Sequence, residues 1–437
     1  MIFRSDIVAV IAQRVWQAGG GLVTLALVAH YLNPVQQGWY YSFLSIAALH
    51  TLFDLGLSIV LVQVSAHLFV GMKWLGEGRA EGENLPRFGA LVGRSFYLYV
   101  RLAVLFVVVV LPAGLWFFSA KGGGQGTQAV GWRAEWIVLV LLTAFNVLLM
   151  PFQSSLEGSG RIREIYGLRL IQGLVGSVAC WATLILGGGL WAAVMVPAFS
   201  MLIGVAWLFG RQWELIKSAL RHRTADFDWR GEVWTLQWRL GLSWLAGYLV
   251  SQVYTPMLFQ AKGPVVAGQM GLSLAIANML SLVSQSWITR RVPQMAQAVE
   301  NRDWQSLDSL FFRDFTISVA VFVVGAFGVC LMYWLLSGTH YHGRVLPFLP
   351  FAGLLATTLL RHIVGALAAQ LRSFRREPLV WVTVVAAFVT VAGAMAAAGP
   401  FGAEGVVVVI LSAQLLLVLP ISVGIWRKCN RSWRVTQ

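Results

Sequence analysis

The chain has 437 residues, 58% of them hydrophobic and only 11% charged, with a mean hydropathy of +0.72. A soluble domain carries roughly 25% charged residues, so this chain lacks the polar surface for one, and its apolar residues fall in blocks long enough to cross a bilayer, about 20 residues each. The net charge of +14 would point a soluble protein toward nucleic acid; here Lys and Arg sit in short connections between apolar blocks, where they set topology, and no nucleic-acid partner is expected.

The first block, 7–31, contains Gln13, Arg14 and Gln17 and no small-residue cleavage site, so it reads as a retained first helix and not a signal peptide. The second, 39–61, stays apolar to Phe69 and either continues past the bilayer or breaks at Gly56. Spans at 95–118, 136–156, 165–186 and 190–210 complete a first set. A second set follows at 236–259, 265–288, 315–336, 346–367, 379–397 and 405–425. The expected fold is an all-α polytopic membrane protein of about twelve transmembrane helices. Residues 1–210 form an N-terminal six-helix lobe, 211–235 a cytoplasmic amphipathic linker, and 236–437 a C-terminal six-helix lobe with a short basic tail.

Alternate connections differ sharply in basic residues. One side collects Lys73, Arg79, Arg87 and Arg94, then Arg161 and Arg163, Arg211 to Arg230, Arg290 to Arg313, Arg372 to Arg376, and Arg427 to Arg434. The other holds Lys121, Arg133, Lys262 and Arg344. The positive-inside rule puts the first side and both termini in the cytoplasm of a cell inner membrane. The longest stretches on that side, 71–94 and 211–232, are basic and amphipathic and are expected to lie on the anionic leaflet.

The seventh block repeats features of the first. Gln13-Arg14 is echoed by Gln237-Trp238-Arg239, and Pro34-Val35-Gln36-Gln37-Gly38 by Pro264-Val265-Val266-Ala267-Gly268. Leu44, Ile46, Ala47 and Leu52 then align without a gap on Leu274, Ile276, Ala277 and Leu282. Six helices follow six in one orientation, a parallel repeat; two matched lobes with a site between them is a transporter plan.

Charges at depth are costly, roughly 2.5–3.5 kcal/mol at a helix centre on insertion scales. Arg101 and Arg169 lie near their cytoplasmic ends and can snorkel. Asp54 falls near the middle of helix two, and a hairpin count about Asn33-Pro34 puts Arg14 at similar depth, so the two either pair or face a cavity. His50, Asp54 and Ser58 share a helix face, a candidate proton site because histidine titrates near neutrality. Arg239 and Arg361 meet no acid in the second set of helices, where Glu404 stands close to the opposite face. Water and an anionic cargo are the favoured partners, with an acid from the first lobe the other choice. Gln17, Gln285, Asn278, Ser281, Thr357 and Thr358 mark further possible cavity faces, although serine and threonine in such helices more often pack against neighbours. The cysteines Cys180, Cys330 and Cys429 form no disulfide framework. Phosphate-cradling Gly-Lys-Ser/Thr, HExxH and CxxC patterns are missing, so neither ATP-driven transport nor a metal or cofactor is expected.

Several stretches resemble the O-antigen and capsule flippases (Wzx type) of the multidrug/oligosaccharidyl-lipid/polysaccharide (MOP) exporter superfamily. These are Ala12-Gln13-Arg14-Val15-Trp16-Gln17, Tyr31-Leu32-Asn33-Pro34 with Gln37-Gly38-Trp39-Tyr40-Tyr41, Asp54-Leu55-Gly56-Leu57-Ser58, Val60-Leu61-Val62-Gln63 and Arg291-Val292-Pro293-Gln294-Met295-Ala296. The resemblance implies two lobes around an alternately opening cavity, with a lateral gate near helices one and seven. The implied cargo is a polyprenyl-pyrophosphate-linked oligosaccharide for O-antigen, capsule or exopolysaccharide assembly, a setting that supplies a polysaccharide polymerase and other export proteins as neighbours. Arg239, Arg361, Arg14, Gln17 and Gln285 would line the substrate cavity, and Asp54 with His50 would couple an ion gradient. The chain is shorter than fourteen-helix members, so their extra hydrophobic groove is not carried over. A small-molecule or multidrug ion-coupled antiporter of the same superfamily is the alternative. A membrane-embedded glycosyltransferase is disfavoured by the short outer connections, so the chain is not expected to be an enzyme.

Overall fold

The computed structural model describes residues 2–122, 131–339, 341–374 and 376–436. The side chains of residues 2–7, 120–122, 236, 239, 240, 243 and 435–436 lie outside that description. The expectations placed on Arg239, Lys121 and Arg375 therefore fall outside the described side chains.

Helix α1 (Ile2–Tyr31) stops where Asn33 precedes a proline, a context that disfavours helix. The next helix, α2 (Pro34–Ala47), opens on a reciprocal cap. The Asn33 side chain accepts from the Gln36 amide at 2.8 Å, and Gln36 Oε1 accepts from the Asn33 amide at 3.1 Å. The second predicted span does break: α3 (His50–Asp54) and α4 (Leu57–Leu68) are separated by Leu55 and Gly56 in left-handed conformation, φ 46° and 74°. The chain bends there by 41°.

Two short strands follow, β1 (Lys73–Trp74) and β2 (Ala80–Glu81), paired antiparallel with Lys73 opposite Glu81. The polar stretch after α4 thus begins as a hairpin. Then come α5 (Leu85–Gly122), α6 (Arg133–Gly158), α7 (Ile162–Ile185), α8 (Ala192–Arg211) and α9 (Trp213–Arg221). The remainder comprises α10 (Thr235–Gln252), α11 (Tyr254–Lys262), α12 (Pro264–Thr289), α13 (Val292–Glu300), α14 (Trp304–Leu335), α15 (Phe348–Arg372), α16 (Val380–Ala413) and α17 (Leu419–Thr436).

Apart from that hairpin the regular structure is helical, and the chain is a multi-pass membrane protein of the all-α class. Among the described residues eight helices are long and apolar enough to span a bilayer, or nine if the bent α2–α4 segment counts as one. One of the eight, Val380–Arg434, is interrupted at Gly402, whose backbone leaves helical geometry at φ 62°, ψ −142°. It covers both of the last two predicted spans. α1, with its internal Gln13, Arg14 and Gln17, and the α10–α11 pair are not among the eight, yet every predicted span falls on helix. Helices α5 and α14 begin about ten residues before the predicted spans, because hydropathy ends at the headgroups and helical hydrogen bonding does not.

Two compact units are present. The first comprises Met1–Leu32 and Phe43–Tyr248, the second Asn33–Ser42 and Leu249–Gln437. In the first, α1 packs along α7, α7 along α8, and α6 against α4, α5 and α8. Phe43, Phe118 and Trp136 form an aromatic knot there, with ring centroids 4.9–5.3 Å apart. In the second, α12 packs against α11, α14 and α15, and α16 against α11 and α15. Its larger core gathers Tyr254, Met270, Leu274, Phe351, Leu355 and Val406. A second core joins Met295, Leu307, Phe311 and Phe374 to Trp426 and Trp433 of α17.

The two copies of the Pro-x-x-x-Gly motif meet within the second unit, each on the first turns of a helix. A Cβ on Gly38 would lie 1.8 Å from the Pro264 carbonyl oxygen, and one on Gly268 would lie 2.8 Å from the Gly38 amide nitrogen. Gln37, 1% exposed, donates to the carbonyls of Gly268 (2.9 Å) and Arg344 (2.8 Å). Arg344 is itself buried and not a free charge of an outer loop, and that burial holds its guanidinium below the usual arginine pKa.

Candidate functional sites

Breaking a helix exposes the first amides of the segment that follows, a natural seat for an anion. Asp54 fills that seat at the start of α4. Its Oδ1 accepts from the Ser58 amide at 3.3 Å and its Oδ2 from the Ser58 hydroxyl at 2.8 Å. The Tyr99 hydroxyl of α5 donates to Oδ1 as well. Asp54 is 8% exposed and Tyr99 fully buried. A carboxylate at a helix N-terminus gains up to about 2 kcal/mol when partly buried, and hydrogen bonds to a charged group add about 1.5–3 kcal/mol. The carboxylate is thus held by dipoles and hydroxyls, with no cation paired to it among the described residues. Chemically it can exchange between these donors and a proton or small cation.

The expected Arg14–Asp54 pair is not formed. The hairpin count assumed that α1 folds back on the second span, but α1 packs along α7, where Trp16 meets Trp181 at 5.9 Å and Trp181 donates to the Thr24 hydroxyl at 2.8 Å. Arg14 and Gln17 are exposed within their unit, and Arg14 comes within electrostatic reach of Tyr166. Beside Tyr166, Arg169 pairs with Glu157 at 2.8 Å. Arg169 therefore has an acid partner, Glu157, in place of the headgroup it was expected to reach. The His50–Asp54–Ser58 face survives only in part. Ser58 holds Asp54 across the break, whereas His50 Nδ1 lies 3.0 Å from the Ala47 carbonyl of its own segment. Tyr99 was missed because one tyrosine in an apolar span gives no signal apart from the carboxylate it meets.

In the second unit, α12 and α15 bring Gln285 and Arg361 to the same helix pair: a Cβ on Gly365, one turn beyond Arg361, would lie 2.9 Å from Gln285 Nε2. Among the described residues Arg361 has no ion pair, and the Tyr254 phenol of α11 is its electrostatic neighbour. Thr357 and Thr358 are buried and donate to carbonyls of their own helix, Gly353 at 2.9 Å and Leu354 at 2.9 Å. Those two hydroxyls are consumed by packing. His362, fully buried, stands 2.7 Å from the Ser318 hydroxyl, which donates to the Ser284 carbonyl at 2.6 Å.

The expectation that Glu404 is the one acid of the second set needs correction. Asp314 lies inside α14, 1% exposed, and accepts from Arg291 at 2.7 Å and Arg290 at 3.3 Å. It was assigned to the preceding connection because the apolar run begins at the next residue. Asp314 is committed to those two arginines and leaves Arg361 without an acid among the described residues.

No protein-family description matches the chain, and no curated protein is similar to it in sequence. Solved structures do share its fold. An inward-facing multidrug resistance MATE family transporter of the MOP superfamily superposes with a TM-score of 0.63 at 14% identity, covering 95% of this chain and 99% of the other. The eukaryotic MATE transporter AtDTX14 gives 0.59 at 14% identity over 99% and 97%. A MOP superfamily transporter from Pyrococcus furiosus, described by the reversed polarity of its binding pocket, gives 0.55 at 13% identity over 99% and 96%.

Proposed function

We propose that the chain is an ion-coupled, alternating-access transporter of the cytoplasmic membrane, and not an enzyme, with its arginine-rich face and both termini in the cytoplasm. The observation that carries the cargo assignment is Arg361, a cation inside the second unit with no acid partner among the described residues. A buried charge needs compensation, and a guanidinium matches the oxygens of a phosphate. The cargo is accordingly an anionic amphiphile of the polyprenyl-pyrophosphate-linked oligosaccharide class, flipped for O-antigen, capsule or exopolysaccharide assembly. Arg239, Arg14, Gln17 and Gln285 complete the proposed cargo set. Asp54, with His50 nearby, is the proposed coupling group, since its carboxylate is held by exchangeable donors and, among the described residues, by no cation.

A small-molecule antiporter is the second reading. The fold neighbours described as multidrug MATE transporters support it at least as well as they support flipping. Proteoliposomes separate the two. The flippase reading requires movement of lipid-linked oligosaccharide under an imposed proton or sodium gradient, with Arg361→Ala abolishing movement at normal expression and Asp54→Asn removing the gradient dependence. Exchange of cationic dyes against protons, with no lipid-linked movement, would transfer the assignment to the antiporter.

A further inference from the structure

On the arginine-rich face of the first unit, α5 and the segment after α9 enclose a cleft of about 530 Å³ lined by Arg94, Tyr97, Leu98, Arg101, Arg223, Thr224 and Trp229. Arg94, Tyr97 or Leu98, and Arg101 follow helical spacing and share one face of α5.

The three arginines do different things. Arg94 is structural: its guanidinium donates to the carbonyls of Arg223 (3.2 Å), Ala225 (2.9 Å) and Phe227 (2.9 Å), fixing the loop as the far wall. These partners are neutral, so its positive charge stays uncancelled. Arg223 lies over the Tyr97 ring at 4.2 Å. Arg101 is exposed and has no ion pair or hydrogen bond among the described residues. No lining residue is acidic. Of the nearby carboxylates, Glu232 is taken by Arg87 at 2.7 Å and Asp228 accepts from the Gly231 amide at 3.0 Å, while Asp226 sits in the loop without lining the cleft.

The same helix indicates where the ligand comes from. Immediately beyond Arg101, α5 exposes Val104, Leu105 and Val108 inside a stretch long and apolar enough to cross a bilayer. Arg101 therefore marks the boundary between headgroups and acyl chains. Amphiphiles present this arrangement, a phosphate beside arginines and hydrocarbon along valine and leucine, and Trp and Tyr favour that depth.

We propose that this cleft is a binding site for a phosphate-bearing anion, held by Arg101 and Arg223 on a wall that Arg94 fixes, with an acidic phospholipid headgroup as its occupant. The site is independent of any cargo assignment, because it needs neither Asp54 nor Arg361.

The test uses full-length protein in nanodiscs of phosphatidylcholine containing spin-labelled phosphatidylglycerol or spin-labelled phosphatidylcholine. Wild type is expected to immobilise the acidic label preferentially. Arg101→Gln and Arg223→Gln should each reduce that preference about five-fold, the effect of one basic residue at an anionic surface. Arg101→Lys should retain part of it. Arg133→Gln, at the opposite end of the first unit's spans, should leave it unchanged, and equal melting of all variants keeps folding out of the comparison. If soluble glycerol phosphate displaces the acidic label at millimolar concentration, the phosphate chemistry stands and its source is the aqueous phase. Equal preference in wild type, Arg101→Gln and Arg223→Gln would overturn the site.

Discussion

Gly38→Ala tests the contact between the two copies of the Pro-x-x-x-Gly motif. The new Cβ would stand 1.8 Å from the Pro264 carbonyl oxygen, 2.5 Å from its carbon and 2.8 Å from its Cα. All three are backbone atoms at the head of α12, so no rotamer change relieves the clash; the helices must separate until the first of these distances reaches about 3.4 Å, an ordinary contact. Overpacking of this kind typically costs about 1–3 kcal/mol. Separation would also stretch the two hydrogen bonds of the neighbouring Gln37 amide to Gly268 and Arg344, each worth about 1 kcal/mol net. Alanine offsets roughly 1 kcal/mol through its higher helix propensity. The expected loss is therefore about 2–4 kcal/mol, read as a lower melting midpoint in detergent by intrinsic tryptophan fluorescence. Gly268→Ala, whose nearest clash is 2.8 Å, should lose less, and Gly424→Ala, with nothing within 4 Å, should lose nothing. A Gly38→Ala protein that melts with Gly424→Ala would refute the close-packed contact.

Three other perturbations are expected to be informative. Asp314→Ala leaves Arg290 and Arg291 facing each other without their acid; because both arginines are part-exposed, the cost is about 1–3 kcal/mol and not the 3–5 kcal/mol of a fully buried pair. Faster tryptic cleavage after Arg290 and Arg291 would report it, and unchanged cleavage would count against the clamp. Tyr99→Phe removes a donor to a buried carboxylate and should destabilise by about 1.5–3 kcal/mol, more than Ser58→Ala, whose backbone amide still reaches Asp54; the opposite order in melting would argue that Ser58 is the main partner. Asp303 caps α14 by accepting from the Ser306 amide at 3.0 Å, and hydrogen bonds from the Ser306 side chain first and its amide second hold the Asp303 carboxyl below the ordinary aspartate pKa. A depressed folded pKa gives stability that is present above the unfolded value and is lost as the pH falls through the folded one. Hydrogen-exchange protection at 304–307, taken relative to the intrinsic rate at each pH, should therefore fall in acid for wild type, and Asp303→Ala should show the low protection already at neutral pH.

Hydropathy and charge, each a property of a short stretch of chain, determined the helical class and the positions of the spans; at Gly56 they left a continued helix and a break both open, and the structure chose the break. They could not determine which helices touch, because in a bilayer nearly every helix surface is apolar and periodicity no longer separates a packed face from a lipid-facing one. That is why Arg14 was matched to Asp54 by counting from a turn, although α1 belongs along α7, and why Asp54 is held by Tyr99, a residue far along the chain with no motif to announce it. Asp314 was hidden by the headgroup boundary, where the hydropathy signal stops and the helix goes on. Tertiary structure alone decided which polar groups are satisfied: Glu157 by Arg169 and Tyr166, Asp314 by two arginines, Thr357 and Thr358 by their own helix, with Arg361 in no ion pair among the described residues. Pairing energies of this kind depend on distances of a few ångströms between segments that only the folded chain brings together.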